Sequence, residues 1–447
     1  MASLALCAAC VTQNPRVEPS EQPPPIVARQ RVLSADESDP LLRAALEEYN
    51  NDAAVRELVE AVRSYSSAPL MSGNAVSALI DGPQTYASIE SDLRQARHHI
   101  HIETFIFGAG EIGRRFAQLL AAKRQEGVEV RVLYDSIGSM ETPKSFFDEL
   151  RGQGIEVREF RPIDPLQSLR LWNIHNRDHR KIIVVDGNVG FTGGINIDST
   201  YSSASTSRPG PKRGMEDGWR DTHIRIQGPV VKQLQALFLD AWAGTGEPVQ
   251  VNDESEYFPR IEAAGDALVT IVANDSESDD RSLYGTYLAA FTRAQQRLWI
   301  THAYFAPNEE LLAAMTDAAW RGVDVRLIVP AFTDSKIVLK ATQATYTRLL
   351  EAGVRIYELQ DALLHAKSVV VDGAVAIVGS ANLDMRSFLH NDEVNAIVIS
   401  RDFAQRMERV FQNDQRASRP VELERWEQRS WWRRVKEFTV RLFGYWL

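Results

Sequence analysis

Cysteine is nearly missing from this sequence. Among 447 residues only Cys7 and Cys10 occur, and both lie within the first ten positions. The rest of the chain therefore holds neither a disulfide framework nor a metal site built on cysteine. Its stability and chemistry must come from other side chains.

Long apolar runs and an excess of positive charge are also lacking. The best candidate run, from Leu4 to Val11, is far shorter than the roughly 18 residues that suggest a spanning helix. A net charge of -10 argues against nucleic acid as a partner bound by the whole surface. Apolar residues at 44% and charged residues at 25% are typical of globular proteins, and the length suits two domains.

The opening "LALCAAC" and the Pro-rich stretch after it resemble the end of a bacterial lipoprotein signal. This predicts a membrane anchor on Cys10. The match lacks a basic region in front, and Cys7 stands where leucine is usual. A true start further upstream would explain this, and an uninformative tail is the alternative.

The sequence predicts six segments. They are a signal-like, disordered N-terminal segment (1–30), a helical lead-in (31–70), a first half (71–245), a linker (246–259), a second half (260–415) and an amphipathic C-terminal segment rich in Trp and Arg (416–447). A basic, Ser-, Pro- and Gly-rich loop at 201–217 has no counterpart in the second half. We expect this loop to be mobile.

The two halves are predicted from an internal repeat. "HRKIIVVDGNVGFTGGIN" begins at His179, and "HAKSVVVDGAVAIVGSAN" begins at His365. The two stretches share nine residues, namely His, Lys, Val, Val, Asp, Gly, Val, Gly and Asn. Duplication of a fold accounts for the valines, but packing alone has no need to keep His, Lys and Asn.

Further landmarks recur in the same order and predict the fold. "ARHHIHIETFIF" is matched by "AQQRLWITHAYF", and "GVEVRVLYD" by "GVDVRLIVP". Helical patterns at 111–125 and 309–320 lie between these strands. The alternation predicts an α/β fold of two similar α-β-α halves, with mixed, largely parallel sheets related by a pseudo-twofold axis.

The repeated polar residues can converge. Residues two apart on a strand point to the same face, so His179 lies beside Lys181. The Asp186-Gly187 pair predicts a hairpin that returns Gly193 and Asn196 alongside the histidine. The second copy repeats this arrangement with His365, Lys367, Asp372, Gly379 and Asn382.

Two such sets facing each other suit a phosphodiester. Lysine ammonium and asparagine amide groups would stabilise charge at phosphorus, while glycine would let the backbone approach the anion. One histidine can attack phosphorus, giving a phosphohistidine, while the other protonates the leaving alcohol. The symmetry of the sequence does not assign these roles.

An orienting carboxylate should stand behind each imidazole. Asp221 and Glu393 each begin an alternating strand after a motif and are the candidates. Asp186 and Asp372 are predicted to be turn formers rather than catalytic groups.

The duplicated H-x-K, Asp and G-x-x-N pattern resembles the signature of the phospholipase D superfamily, and most of all bacterial cardiolipin synthases. "IETFIF", "WRDTHIRIQGP" and "GSANLDMRSFLHNDE" carry the closer resemblance, which covers roughly residues 70 to 445. It implies transfer of a phosphatidyl group between two phosphatidylglycerols with no cofactor and no metal, with His179 as nucleophile and His365 as acid and base. The first copy has "GGIN" where the second has Ser380, so one hydroxyl of the anion site would be lost.

Rival interpretations remain open. Hydrolysis of phospholipids uses the same chemistry, nuclease action fits the acidic charge poorly, and two intact motifs make a non-catalytic scaffold unfavourable.

His99, His101 and Glu103 share one strand face, but ordinary neighbours and a counterpart without ligands argue against a metal. The Trp/Arg pattern at 430–447 predicts a helix in a membrane interface, with packing on the second half as the alternative. The sequence leaves the oligomeric state open.

Overall fold

The computed structural model describes residues 15, 17–28, 31–46, 52–162, 176–205, 218–249 and 254–428. Cys7, Cys10, most of the 201–217 loop and the 430–447 segment lie outside these residues. None of the helices in the described ranges combines the length and the apolar composition of a transmembrane span.

The lead-in consists of β1 (Ile26–Ala28), β2 (Arg31–Val32), α1 (Ala35–Leu46) and α2 (Asp52–Tyr65). The first half consists of β3 (Leu70–Ile80), α3 (Asp81–Gln95), β4 (His99–Thr104), α4 (Glu111–Gln125), β5 (Glu129–Asp135), α5 (Lys144–Gly152), β6 (Glu156–Phe160), β7 (Arg177–Asp178), β8 (Ile182–Val185), β9 (Val189–Gly193), β10 (Trp219–Arg220), β11 (Thr222–Gln227) and α6 (Val231–Gly244).

After α7 (Glu254–Tyr257), the second half consists of β12 (Ala267–Asn274), α8 (Ser282–Arg293), β13 (Arg297–His302), β14 (Phe305–Ala306), α9 (Glu309–Trp320), β15 (Asp324–Pro330), α10 (Lys336–Glu351), β16 (Arg355–Leu359), β17 (Leu363–Leu364), β18 (Lys367–Val371), β19 (Val375–Gly379), β20 (Leu383–Asp384), α11 (Met385–Leu389), β21 (Asn391–Ile399) and α12 (Arg401–Arg416). The described chain ends with β22 (Ser418–Pro420) and α13 (Leu423–Glu427).

The predicted α/β fold with two similar halves is confirmed. The strand order is β6-β5-β4-β8-β9-β11-β3 in the first half and β16-β15-β13-β18-β19-β21-β12 in the second. In each half the first three strands are parallel and the others antiparallel. The equivalent strands β3 and β12 pair antiparallel, as a twofold axis between the halves requires. The predicted helices at 111–125 and 309–320 coincide with α4 and α9.

Glycine ends the helices that precede the parallel strands. Gly127, Gly154, Gly322 and Gly353 all have φ between 81° and 94°. Only glycine adopts this left-handed conformation at little cost, so the chain leaves each helix sharply and enters the next strand.

Each sheet packs on most of its own helices with one face, and its opposite face packs on the other half together with α6 or α12. One apolar cluster joins the first sheet to α3, α4 and α5, and another joins the second sheet to α8, α9, α10 and the lead-in. A third cluster mixes residues of both halves, among them Ile182, Ile224, Val370 and Val394. Next to this shared core, β7 of the first half pairs with the first two residues of β21 in the second half.

Some predicted boundaries need correction. The segment 1–30 was expected to be disordered, but β1 pairs parallel with β3, and its Ile26 is fully buried in the apolar cluster of the second sheet and the lead-in. The linker 246–259 contains the helix α7. The C-terminal segment begins inside the second half, since β22 pairs antiparallel with β16 and covers that edge of its sheet.

Asp186 and Asp372 fasten each motif hairpin to the neighbouring strand. Both have positive φ, 51° and 54°. The Asp186 carboxylate accepts hydrogen bonds from the backbone N–H groups of 97–99 at 2.8–2.9 Å. The Asp372 carboxylate does the same for the N–H groups of 295–297. These contacts fix where β4 and β13 begin.

Asp372→Ala should lower the free energy of unfolding by about 2–3 kcal/mol, because three backbone N–H groups lose their acceptor. Asp372→Asn should lose less, since asparagine keeps a carbonyl acceptor and tolerates positive φ. Urea unfolding followed by circular dichroism measures the difference, with the exposed Asp361→Ala as control. Unchanged stability together with lost activity would instead assign Asp372 to the chemistry.

Candidate active site

Short backbone ladders between the halves position the motif histidines. β7 pairs parallel with the first two residues of β21, and the His179 N–H donates to the Asp392 carbonyl at 2.9 Å. In the same way β10 pairs parallel with β17, and the His365 N–H donates to the Arg220 carbonyl at 2.8 Å. Each histidine therefore lies next to the residue that precedes a carboxylate of the other half.

The side chains complete this crossed arrangement. The Nδ1 of His179 lies 2.9 and 3.0 Å from the two carboxylate oxygens of Glu393. The Nδ1 of His365 lies 2.7 Å from Oδ2 of Asp221. All four side chains are buried. The sequence pointed to these carboxylates without pairing them, and the structure pairs each with the histidine of the opposite half.

Glu393 is held by three side-chain donors besides His179. The Ser380 and Ser387 hydroxyls donate to its two oxygens at 2.6 and 2.8 Å, and Asn391 Nδ2 lies 3.3 Å away. Burial favours the neutral acid, but His179 and Lys181 outweigh it and lower the pKa of Glu393 to about 2. The expected anion-site role of the Ser380 hydroxyl is therefore wrong, because this hydroxyl is engaged with the carboxylate.

The first copy has glycine at the position of Ser380 for a steric reason. A Cβ on Gly194 would lie 2.1 Å from Oδ1 of Asp221, so serine would displace this shorter carboxylate. The Thr222 N–H donates to the same oxygen at 2.7 Å. Burial opposes ionisation of Asp221, but His365 and Lys367 outweigh it and lower its pKa.

Each motif lysine folds back on its own histidine. The ammonium group of Lys181 donates to the His179 carbonyl at 2.6 Å, and Lys367 donates to the His365 carbonyl. Burial lowers the pKa of Lys181 to about 7 and that of Lys367 to about 8. Each ammonium has two further N–H donors, at least one of which can bind an anion.

Burial favours the neutral ring in both motif histidines. Burial lowers the pKa of His179 to about 4 and also lowers the pKa of His365. Because the carboxylates accept hydrogen bonds at Nδ1, the lone pair of a neutral ring lies on Nε2. A neutral imidazole with a free Nε2 is a nucleophile or a base, and its carboxylate stabilises the imidazolium that forms.

The motif asparagines differ between the halves. Asn196 Oδ1 accepts from the Ile106 N–H at 3.1 Å, and its Nδ2 donates to the Tyr201 hydroxyl at 3.1 Å. Within the described ranges, Oδ1 of the buried Asn382 has no hydrogen-bond partner. The side chain of Asn382 is therefore less constrained than that of Asn196, and its Nδ2 group is the part that can donate to an anion.

The motif glycines pack against protein. A Cβ on Gly193, whose φ is 149°, would lie 2.6 Å from Cα of His223, and a Cβ on Gly379 would lie 2.0 Å from Oδ1 of Asn395. The expectation that these glycines admit a bulky anion is wrong, because the neighbouring strand occupies that space.

Sequence reasoning missed Tyr201 and Ser387, which occupy equivalent positions. The Tyr201 hydroxyl lies 3.3 Å from Nδ1 of His365, and Ser387 donates to Glu393. An Asp two residues after each motif asparagine carried the signal. Asp198 accepts from Thr200 N–H and Asp384 from Ser387 N–H, so each caps a helical turn that returns to the histidine.

His99, His101 and Glu103 have other partners. His101 lies between Gln235 and Arg131, at 3.1 and 3.2 Å, and Glu103 lies 3.8 Å from Arg180. No group of three His, Cys, Asp or Glu side chains suited to a metal occurs in the described part of the chain.

Comparison with known proteins places this geometry in a family. The family model described as "Cardiolipin synthase, PLD-like domain" matches residues 89–206 and 287–415. The cardiolipin synthase of Geobacillus kaustophilus is 36% identical over 425 residues, which cover 95% of this chain and 79% of that protein. The enzyme of the same name from Listeria monocytogenes is 34% identical over 87% of this chain and 79% of its own length.

Solved structures support the fold. The phosphatidylserine synthase of Haemophilus influenzae superposes with a TM-score of 0.66 at 16% identity, covering 88% of this chain and 100% of that one. The polyphosphate kinase of Porphyromonas gingivalis gives a TM-score of 0.50 at 12% identity over 76% of this chain and 50% of that one. With the crossed histidine–carboxylate pairs and the length of the sequence matches, the chain belongs to the cardiolipin synthase family of the phospholipase D superfamily.

Proposed function

We propose that this enzyme condenses two phosphatidylglycerol molecules to cardiolipin and glycerol through a phosphohistidine. The crossed pairs, His179 with Glu393 and His365 with Asp221, carry this proposal. They supply two imidazoles at one interface, each oriented by an ionised carboxylate. The two relatives described above are named cardiolipin synthases, which supports cardiolipin as the product. Phosphatidylglycerol as donor and acceptor is what the resemblance of the motifs to this family implies.

In the first step, Nε2 of His179 forms a bond to phosphorus while the bond from phosphorus to the glycerol oxygen breaks. The imidazolium of His365 gives its proton to that oxygen. The pKa of His179 near 4 supports its role as the nucleophile, because the ring is neutral at physiological pH. Lys181, Lys367 and Asn382 stabilise the charge on the phosphoryl oxygens.

In the second step, neutral His365 takes the proton from a hydroxyl of the second phosphatidylglycerol. The freed oxygen bonds to phosphorus, and the bond from phosphorus to Nε2 of His179 breaks. Water in place of this alcohol would give phosphatidic acid. Exclusion of water from the buried site therefore decides between synthesis and hydrolysis.

The enzyme should act at a bacterial membrane surface, where its phospholipid substrates lie. Cys10 remains the predicted anchor and 430–447 the predicted interfacial helix. Both lie outside the described residues, so their support comes from the sequence pattern and the nature of the substrate.

Purified enzyme given phosphatidylglycerol in mixed micelles should yield cardiolipin and glycerol by mass spectrometry. His179→Ala and His365→Ala should each lower turnover by at least about 10³-fold, since each removes an obligatory group. Phosphatidic acid plus glycerol as the main products would instead assign a hydrolase. Undiminished turnover in either variant would overturn the mechanism.

A phosphatidyl adduct should form on His179. After an alkaline quench, the wild-type enzyme is expected to carry the added mass on the peptide containing His179, and His179→Ala should carry none. Intact-protein and peptide mass spectrometry make the measurement. An adduct on the peptide containing His365 would reverse the two roles.

Glu393→Gln should lower kcat by about 10²- to 10⁴-fold, because the amide no longer holds the imidazole or stabilises its charge. Asp221→Asn should act similarly through His365. Glu408→Gln is the matched control, since Glu408 is a buried acid paired with Arg297 outside the site. Equal effects of Glu393→Gln and Glu408→Gln on kcat would contradict the orienting role.

The rate constant kcat/KM should rise with pH through about 4 and fall through about 7. Below the lower value His179 is protonated and does not attack. The upper limb combines two losses: His365, whose pKa burial lowers, loses the proton that the leaving oxygen needs, and Lys181 loses the charge that binds the anion. Lys181→Arg should move the upper limb to higher pH at a reduced maximum, because guanidinium stays charged. An upper limb that stays in place in this variant would remove Lys181 from the explanation.

A further inference from the structure

Two histidines outside the motifs lie beside the motif lysines. His223 on β11 is 2% exposed, and His302 at the end of β13 is fully buried. Among the residues that the structure describes, no hydrogen-bond partner reaches either ring nitrogen of these two side chains. Buried polar groups nearly always have partners, so four unpaired ring nitrogens at one active site require a reason.

A small cavity connects His223 with Lys181. Both side chains line it, and its volume of about 10 Å³ corresponds to one water molecule. The Lys181 ammonium donates one N–H to the His179 carbonyl and has donors to spare. A water molecule here would accept from the ammonium and donate to a ring nitrogen of His223.

In the second half a histidine also lies beside the motif lysine, but it comes from β13, which is not the equivalent of β11. His302 lies directly opposite Lys367 in the antiparallel register of β13 and β18, where opposed side chains share a face. In the repeat, His302 corresponds to Thr104, and His223 corresponds to Asn395. Thr104 donates to the Ile106 carbonyl and Asn395 donates to the Tyr287 hydroxyl, so both counterparts are engaged elsewhere.

We propose that His223 is a positioning residue for Lys181: its ring accepts a hydrogen bond from one water molecule in this cavity, and that water accepts an N–H of the ammonium. His302, directly opposite Lys367, would position that lysine. The inference rests on the proposed function, in which these lysines bind the phosphoryl oxygens. With one N–H on the His179 carbonyl and one on the water, the third N–H of Lys181 has a fixed direction toward the substrate.

The electrostatic surroundings favour this role. Burial lowers the pKa of His223 to about 3, with Lys181 contributing, so the ring is a neutral acceptor at any working pH. The other charged groups that act on Lys181 are Glu393 on β21, Lys367 on β18, Asp178 on β7 and Asp221 between β10 and β11. Glu103 also lines the cavity, and its carboxylate lies 3.8 Å from Arg180 on the neighbouring segment.

His223→Leu tests the proposal because leucine fills similar space without an acceptor. The upper pH limb of kcat/KM should move down by about one unit, since the ammonium loses a hydrogen bond that favours its charged form. The kcat at the optimum should fall about tenfold, with KM changed less than about twofold. His223→Asn introduces the residue found at the equivalent position in the second half. Its amide oxygen can accept the hydrogen bond, so the upper pH limb should return to its wild-type position.

A merely structural His223 would lower stability in His223→Leu and leave the pH limb in place; that result overturns the proposal. If His223→Leu does not fold, a high-resolution crystal structure of the wild-type enzyme decides. An ordered water within hydrogen-bond distance of both Lys181 Nζ and a His223 ring nitrogen supports the proposal, and a cavity without density overturns it. Failure of wild-type enzyme to use phosphatidylglycerol would contradict the proposed function alone, because the water is observed independently of turnover.

Discussion

The crossed contact between each histidine and the carboxylate of the other half is the constraint on which the site depends. The backbone already sets this contact, because the N–H of His179 donates a hydrogen bond to the carbonyl of Asp392, the residue before Glu393. The same holds for His365 and Arg220, the residue before Asp221. Such a ladder holds the imidazole at a distance set by strand geometry, which side-chain contacts alone would leave adjustable.

Duplication has been followed by adjustment around each carboxylate. A longer acid, Glu393, is matched with Ser380, whose hydroxyl donates to it, while the shorter Asp221 is matched with Gly194, whose missing side chain makes room. The replacement of Ser380 by glycine in the first copy is therefore not a loss from the anion site. It accompanies the change from glutamate to aspartate in the carboxylate that this position contacts. The two imidazoles therefore meet different surroundings, which gives a physical basis for different roles.

Much of this arrangement could be predicted from the sequence, and the exceptions have physical causes. The repeat predicted the strands, the helices at 111–125 and 309–320, and the residues that converge, because a hairpin turn and strand alternation are local rules. The partner of each carboxylate was beyond prediction, since it depends on how two sheets face each other through the shared core. Tyr201 and Ser387 were missed because their residue types differ, although the capping Asp198 and Asp384 are the same.

The core shared by the two sheets also governs how the molecule is made. The inward face of the first sheet, with Ile182 and Ile224, packs on strands that end only at Ile399. The first half therefore emerges from the ribosome well before the strands that will cover this face have been synthesised. During this interval the apolar face of the first sheet is exposed to other contacts. The active site is complete only when β21, which carries Glu393, has joined the second sheet.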